Sequence, residues 1–176
     1  MRRFRTHGME RVDVSPGPTD GGWYMEMQDL GFNYRITDFQ CALGLSQLDR
    51  LDGWVARRNE IAAAYRTMLA SEERLELPPA APESALHGHH LFVVGVREGA
   101  EGRLRVFEGL REAGIGVQVH YIPVYRMPYY RDVLGAPQDT CPNADDYYAR
   151  AISLPMFPAM TDADVERVGA ELGRLL

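Results

Sequence analysis

Lysine is absent from this chain. All 19 residues counted as Lys plus Arg among its 176 are arginine. No side chain therefore carries a primary amine that could form a Schiff base with an aldehyde cofactor or substrate. Cysteine is scarce: Cys41 and Cys141 lie far apart, without CxxC spacing, and give neither a metal framework nor a disulfide scaffold. They read as two free thiols in a reducing compartment. Long apolar runs are missing too. Nothing approaches the roughly 20 residues that cross a bilayer, and Met1-Arg2-Arg3-Phe4-Arg5 has no apolar stretch behind it to make a signal peptide. These absences predict a cytoplasmic protein with no membrane partner. A formal net charge of −6 argues against a nucleic-acid partner, whose phosphates need clustered cations.

Several catalytic loops are absent as well. There is no G-x-S-x-G, Walker A or GxGxxG segment, so hydrolase, nucleotidase and dinucleotide-fold readings lack the turns that position nucleophile or phosphate. His87-Gly88-His89-His90 matches no metal-ligand spacing, and alternate residues of a strand point to opposite faces. It reads as a turn entering a strand, and no metal is expected. Asp145-Asp146 and Glu72-Glu73 read as solvated surface.

What is present is a globular composition, 45% hydrophobic and 25% charged, enough for one domain or a small domain with an appended segment. Ser15-Pro16-Gly17-Pro18-Thr19-Asp20-Gly21-Gly22 reads as a loop. Thr37 and Gln40 have capping-box spacing. Behind them Phe39, Leu43, Leu48, Leu51, Val55, Ile61, Tyr65 and Leu69 recur at helical intervals, with Gly44 and Gly53 predicting a bend or two helices meeting near Asp52-Gly53. Leu77-Pro78-Pro79 closes the helical part. Beyond it, His90–Val96 predicts a strand, Arg103–Ala113 a helix stopped by Gly114, Ile115–Tyr121 a second strand, and Asn143–Ile152 a helix. Thr161 with Asp164 predicts a cap before a closing helix through Val165, Val168, Leu172 and Leu175. The order is that of a small α/β layer domain.

Two segments are unusual for plain structure. Gly31-Phe32-Asn33-Tyr34-Arg35 sets an amide and a guanidinium just before a helix N-terminus, where unpaired N–H groups and the dipole favour an anion. An N-terminal turn with an exposed arginine is the plainer alternative. His120-Tyr121-Ile122-Pro123, followed by Tyr125, Tyr129 and Tyr130, is a strand end running into an aromatic loop. It suits a ring-shaped ligand or a packed aromatic corner equally.

Gly31 through Gln40, then Ala42-Leu43-Gly44, Gln47-Leu48 and Arg57-Arg58, resembles the GxNxR…QAALGxxQL…R segment of the DegT/DnrJ/EryC1/StrS aminotransferases. Arg5-Thr6-His7-Gly8, Gly114-Ile115…Val119-His120-Tyr121-Ile122-Pro123, Cys141-Pro142-Asn143-Ala144 with Tyr147-Tyr148, and Ser153-Leu154-Pro155-Met156-Phe157-Pro158 continue the likeness in order. Trp23–Gln28 and Asp38–Leu43 look most like its pseudaminic-acid branch. The resemblance implies an α/β fold, the C-terminal part of a fold-type I pyridoxal-phosphate (PLP) transferase. Residues 1–36 would be a remnant of the large domain, 37–77 connector helices and 85–176 the small domain.

It also implies amino transfer from glutamate to a nucleotide-linked 4-keto-6-deoxy sugar. Asn33 would reach the phosphate of PLP across a dimer, Arg35 would shape that site, and His120 and Tyr121 would edge the sugar-nucleotide pocket. In the family the Schiff-base lysine and the acidic partner of the pyridine nitrogen lie N-terminal to the Arg-Thr-His-Gly segment. With lysine absent, the chain is expected to be inactive by itself. It would be a fragment of a split or mis-started gene or half of a two-piece enzyme, its protein partner a second copy in a homodimer or the missing N-terminal half. Alternatively it is a non-catalytic subunit beside an intact aminotransferase, or a truncated relic.

Overall fold

Local sequence explains the longest element. In the computed structural model, which describes residues 1–10, 25–82, 84–138 and 140–176, helix α1 runs unbroken over Asp38–Leu69. Its start is the expected capping box: the Thr37 N–H donates to Gln40 Oε1 at 3.0 Å, and the Gln40 N–H donates to Thr37 Oγ1 at 3.3 Å. Gly44 and Gly53 both lie inside the helix, and the expected junction at Asp52-Gly53 does not form. Each glycine costs about 1 kcal/mol relative to alanine, too little to end a helix held by a cap at one end and by packing at the other. The loop expected at Ser15–Gly22, and the Trp23-Tyr24 part of the branch resemblance, lie outside the described residues.

The described residues form two compact units, Met1–Arg50 and Leu51–Leu176. In the first, β1 (Met9–Glu10) pairs antiparallel with β2 (Glu26–Met27). The pairing continues outward as the His7 N–H donates to Phe32 O at 2.9 Å and the Tyr34 N–H to Arg5 O at 2.9 Å. Two glycines permit this crossing. A Cβ on Gly8, whose φ is +69°, would stand 1.7 Å from the Asp29 carbonyl oxygen, and one on Gly31 would stand 2.1 Å from Gly8 N.

The second unit is a three-stranded antiparallel sheet, in order β3 (Leu75–Glu76), β4 (Phe92–Val96), β5 (Ala151–Leu154). Helices α2 (Gly99–Glu112), α3 (Pro142–Arg150) and α4 (Asp162–Leu175) complete it. Two expectations change here. The helix predicted to reach Ile152 stops at Arg150, and Ala151–Leu154 is a strand with all four residues buried. A run buried on both faces shows no alternation, so periodicity does not separate it from a helix end. Ile115–Tyr121 contributes only an isolated bridge, Gln118 to Ser153, because no continuous ladder forms beyond that point.

Register sorts the sheet into two faces. Phe92 opposes Leu154 and Val94 opposes Ile152, and these four pack with Ile61, Tyr65, Val106, Leu110, Val165 and Leu172 in the core. Val93 opposes Ser153 and Gly95 opposes Ala151 on the other face. The C-terminal half of α1 enters this core, fastened by arginines. Arg58 Nη1 donates to the carbonyls of His89 (2.8 Å), Met156 (3.0 Å) and His90 (3.3 Å), while Arg57 Nη2 reaches Met160 O and Asp162 Oδ1, both at 2.7 Å. Tyr65 Oη donates to Pro155 O at 3.0 Å. At α4 the expected cap is a complete reciprocal box between Thr161 and Asp164.

These attachments differ in weight. Arg58→Ala leaves carbonyls on both flanks of the sheet without their charged donor, and is expected to lower unfolding stability by roughly 2–3 kcal/mol. Thr161→Ala removes one cap and is expected to cost about 1 kcal/mol. Urea denaturation of the two variants checks the order; equal losses would show that Arg58 is no more than a surface contact.

Candidate functional site

In the first unit the structure joins two segments that the sequence reading kept apart. Thr6 and Asn33 form a β-bridge, so Arg5–Gly8 lies beside Gly31–Arg35. Phe32 and Tyr34 stack at 4.9 Å with ring planes 12° apart, and the two-residue alternation of extended chain sets Asn33 and Arg35 on the other side. Arg35 Nη2 lies 3.0 Å from His7 Nε2. A guanidinium only donates, so this ring nitrogen accepts and His7 carries its proton on Nδ1. The Asn33 side chain is exposed and makes no hydrogen bond among the described residues. An exposed amide, a guanidinium and the start of α1 three residues beyond Arg35 make a donor set suited to an oxyanion such as a phosphate. His7 as the support of Arg35 was missed in the sequence; the Arg-Thr-His-Gly motif pointed to it, but only the bridge brings it within reach.

In the second unit, His120 and Tyr121 leave the bridge at Gln118. His120 Nδ1 lies 2.8 Å from Ser153 Oγ, and the rings of His120 and Tyr121 meet edge-on at 4.6 Å. His120 is half-buried and Tyr121 exposed. The aromatic loop divides. Tyr125 turns inward, its hydroxyl donating to Asp145 Oδ1 at 2.5 Å, and Asp145 also meets Arg126 at 2.7 Å. Tyr129 and Tyr130 stay exposed on a single turn, edge-on to each other at 5.7 Å. Tyr125 is thus a brace of the loop. Burial, then the Asp145 carboxylate, pushes its phenol up to about 12.

The other histidines are engaged locally. The His89 N–H donates to His87 Nδ1 at 2.9 Å, and the His89 and His90 carbonyls accept from Arg58. Among the described residues no group of three or more His, Cys, Asp or Glu is arranged to hold a metal ion, and no helix is long and apolar enough to cross a membrane. Cys41 and Cys141 are unpaired and exposed.

The DegT/DnrJ/EryC1/StrS aminotransferase family matches residues 1–173. This chain belongs to that family. Spore coat polysaccharide biosynthesis protein SpsC of Bacillus subtilis is 38% identical over 171 residues, covering 96% of this chain and 44% of SpsC. Helicobacter pylori PseC, an aminotransferase involved in the biosynthesis of pseudoaminic acid, superposes with a TM-score of 0.77 at 26% identity over 99% of this chain and 44% of PseC. Spr1654 of Streptococcus pneumoniae, in its PMP-form, matches in fold with a TM-score of 0.82 at 24% identity, covering 99% of this chain and 43% of that one. This chain thus spans less than half the length of these relatives. Its fold is the α/β arrangement of fold-type I PLP aminotransferases, in their C-terminal part.

The family implies PLP, and the residues present fit one end of it. Asn33 and Arg35 offer donors for a phosphate. With lysine absent, no side chain here can form a Schiff base at the aldehyde carbon.

Tyr125 gives this family member a pH signature. A phenol released on unfolding titrates near 10, so between that pH and about 12 the unfolded chain gives up the proton first. The contribution of Tyr125 is complete below pH 10 and is lost as pH rises through about 12. In an ultraviolet titration, Asp145→Asn is expected to move this phenol part of the way toward 10, since burial remains. An unchanged midpoint would remove Asp145 as a cause.

Proposed function

We propose that these residues form the phosphate-anchoring and substrate-edge portion of a PLP-dependent sugar aminotransferase. The observation that carries this reading is the bridge between Thr6 and Asn33, which gathers Asn33, Arg35 and His7 just ahead of α1. In this reading Asn33 and Arg35 donate to the phosphate of PLP held in a site shared with a partner subunit. His120 and Tyr121 border the nucleotide-linked 4-keto-6-deoxy sugar, and glutamate is the amine donor. When bound, PLP supplies the electron sink for amino transfer. The likeness to PseC supports a finer assignment, UDP-4-amino-4,6-dideoxy-N-acetyl-β-L-altrosamine transaminase of pseudaminic acid biosynthesis. SpsC supports the broader setting of polysaccharide biosynthesis.

In this reading the Schiff-base lysine, which these 176 residues lack, and the acidic partner of the pyridine nitrogen come from the large domain. By themselves the residues are proposed to be inactive. One feature favours a second reading, a non-catalytic subunit beside an intact aminotransferase. The first half of α1 exposes Phe39 (81%), Leu45 (66%) and Leu48 (60%), large apolar side chains spread around the helix and suited to contact with another polypeptide.

The test combines the chain with a lysine-bearing large-domain segment of the family. Absorbance of lysine-bound PLP is expected in the mixture and not in either part with Asn33→Ala in the chain weakening PLP retention about tenfold, the loss of one charge-assisted contact. A mixture without the band would leave the subunit reading. Borohydride treatment of the chain with PLP alone is expected to label no residue beyond the Met1 α-amine; a labelled side chain would defeat the assignment of the missing amine.

A further inference from the structure

Ser153 lies on the sheet face turned away from the core, opposite Val93, in a strand buried along its length. Its backbone exchanges both hydrogen bonds with Gln118: the Ser153 N–H donates to Gln118 O at 2.7 Å, and the Gln118 N–H donates to Ser153 O at 3.3 Å. Its side chain then reaches one step along the same segment, to His120 Nδ1 at 2.8 Å. Ser153 is only 4% exposed. Its hydroxyl has no other hydrogen-bond acceptor among the described residues. If Nδ1 carried the imidazole proton and donated, the serine proton would be buried without a partner, which is the costlier arrangement. The serine therefore donates, Nδ1 accepts, and the neutral ring keeps its proton on Nε2. Among the described residues Nε2 has no partner, and His120 is half-buried rather than enclosed.

We infer that Ser153 is a positioning residue for His120, fixing the imidazole as an Nε2–H donor available to an oxygen of the bound sugar nucleotide. The inference rests on the reading of His120 as a substrate-edge residue only for the identity of the ligand; the Ser153–His120 pairing stands on geometry. The backbone exchange with Gln118 sets the distance, and the hydroxyl sets the ring's tautomer and rotation. A strand residue thus governs a side chain 33 positions earlier in the sequence. A serine serves this purpose because its short side chain carries the hydroxyl donor that alanine lacks.

The experiment is nitrogen-15 NMR of the histidine side chains in the 176-residue chain, with UDP as the probe ligand. The wild-type chain is expected to show His120 in one tautomer, protonated on Nε2. Ser153→Ala is expected to show both tautomers and to bind UDP about fivefold more weakly, the size of one neutral hydrogen bond. Ser153→Thr, which keeps the hydroxyl, is expected to restore both. A wild-type ring protonated on Nδ1, or an unchanged tautomer in a folded Ser153→Ala chain, overturns the inference. Should Ser153→Ala fail to fold, the wild-type and Ser153→Thr spectra decide alone. Failure of the wild-type chain to bind UDP, with the tautomers as expected, sinks the substrate reading of His120 and upholds the pairing.

Discussion

The second unit depends on one guanidinium. Arg58 projects from the half of α1 that enters the core and donates to carbonyls on both flanks of the sheet, His89 and His90 before β4 and Met156 after β5. Those carbonyls come from irregular backbone that has no ladder of its own to satisfy it, and buried carbonyls without donors are costly. A single guanidinium nitrogen, Nη1, lies within reach of all three. Fixing both flanks fixes the register of β4 against β5. That register sets Ser153 opposite Val93, and Ser153 in turn holds Gln118 and His120. A chain of short contacts therefore runs from the helix to the candidate substrate edge.

The elements legible in the sequence were those whose signal is local. Thr37 with Gln40 and Thr161 with Asp164 announced their caps, because capping is decided within four residues. The closing helix was equally plain, with Val165, Val168 and Leu172 at helical spacing and all buried. What escaped was decided by neighbours far along the chain. Ala151–Leu154 is a strand because it pairs with β4, and burial on both faces erased the alternation that would have marked it. Ile115–Tyr121 alternates well, but only Gln118 finds a partner.

The candidate sites follow the same division. Asn33, Arg35, His120 and Tyr121 could be picked out by residue type and motif, while the groups that hold them could not. His7 supports Arg35 from 28 residues away and Ser153 supports His120 from 33. Neither serine nor histidine is informative by itself at such a distance. The supporting residue is visible only once backbone pairing has chosen which residues become neighbours, Thr6 with Asn33 in one unit and Gln118 with Ser153 in the other. In both cases the bridge falls one or two residues from the side chain it serves.

The absence of lysine gives this arrangement its chemical meaning. The cations here are arginines, and in the second unit most are spent on carbonyls and carboxylates: Arg57 on Met160 and Asp162, Arg66 on Pro78 and Pro79, Arg150 on Glu76 and Asp146. Arginine stays protonated in all such settings and is a poor nucleophile for that reason. The groups left facing outward are neutral or only donate: the Asn33 amide, Arg35, and the His120 imidazole with its free nitrogen. Groups of that kind bind and orient a phosphate or a sugar, and none of them can make the covalent bond that amino transfer requires. In the proposed reading recognition and covalent chemistry are separable in this fold, and these residues supply the first without the second.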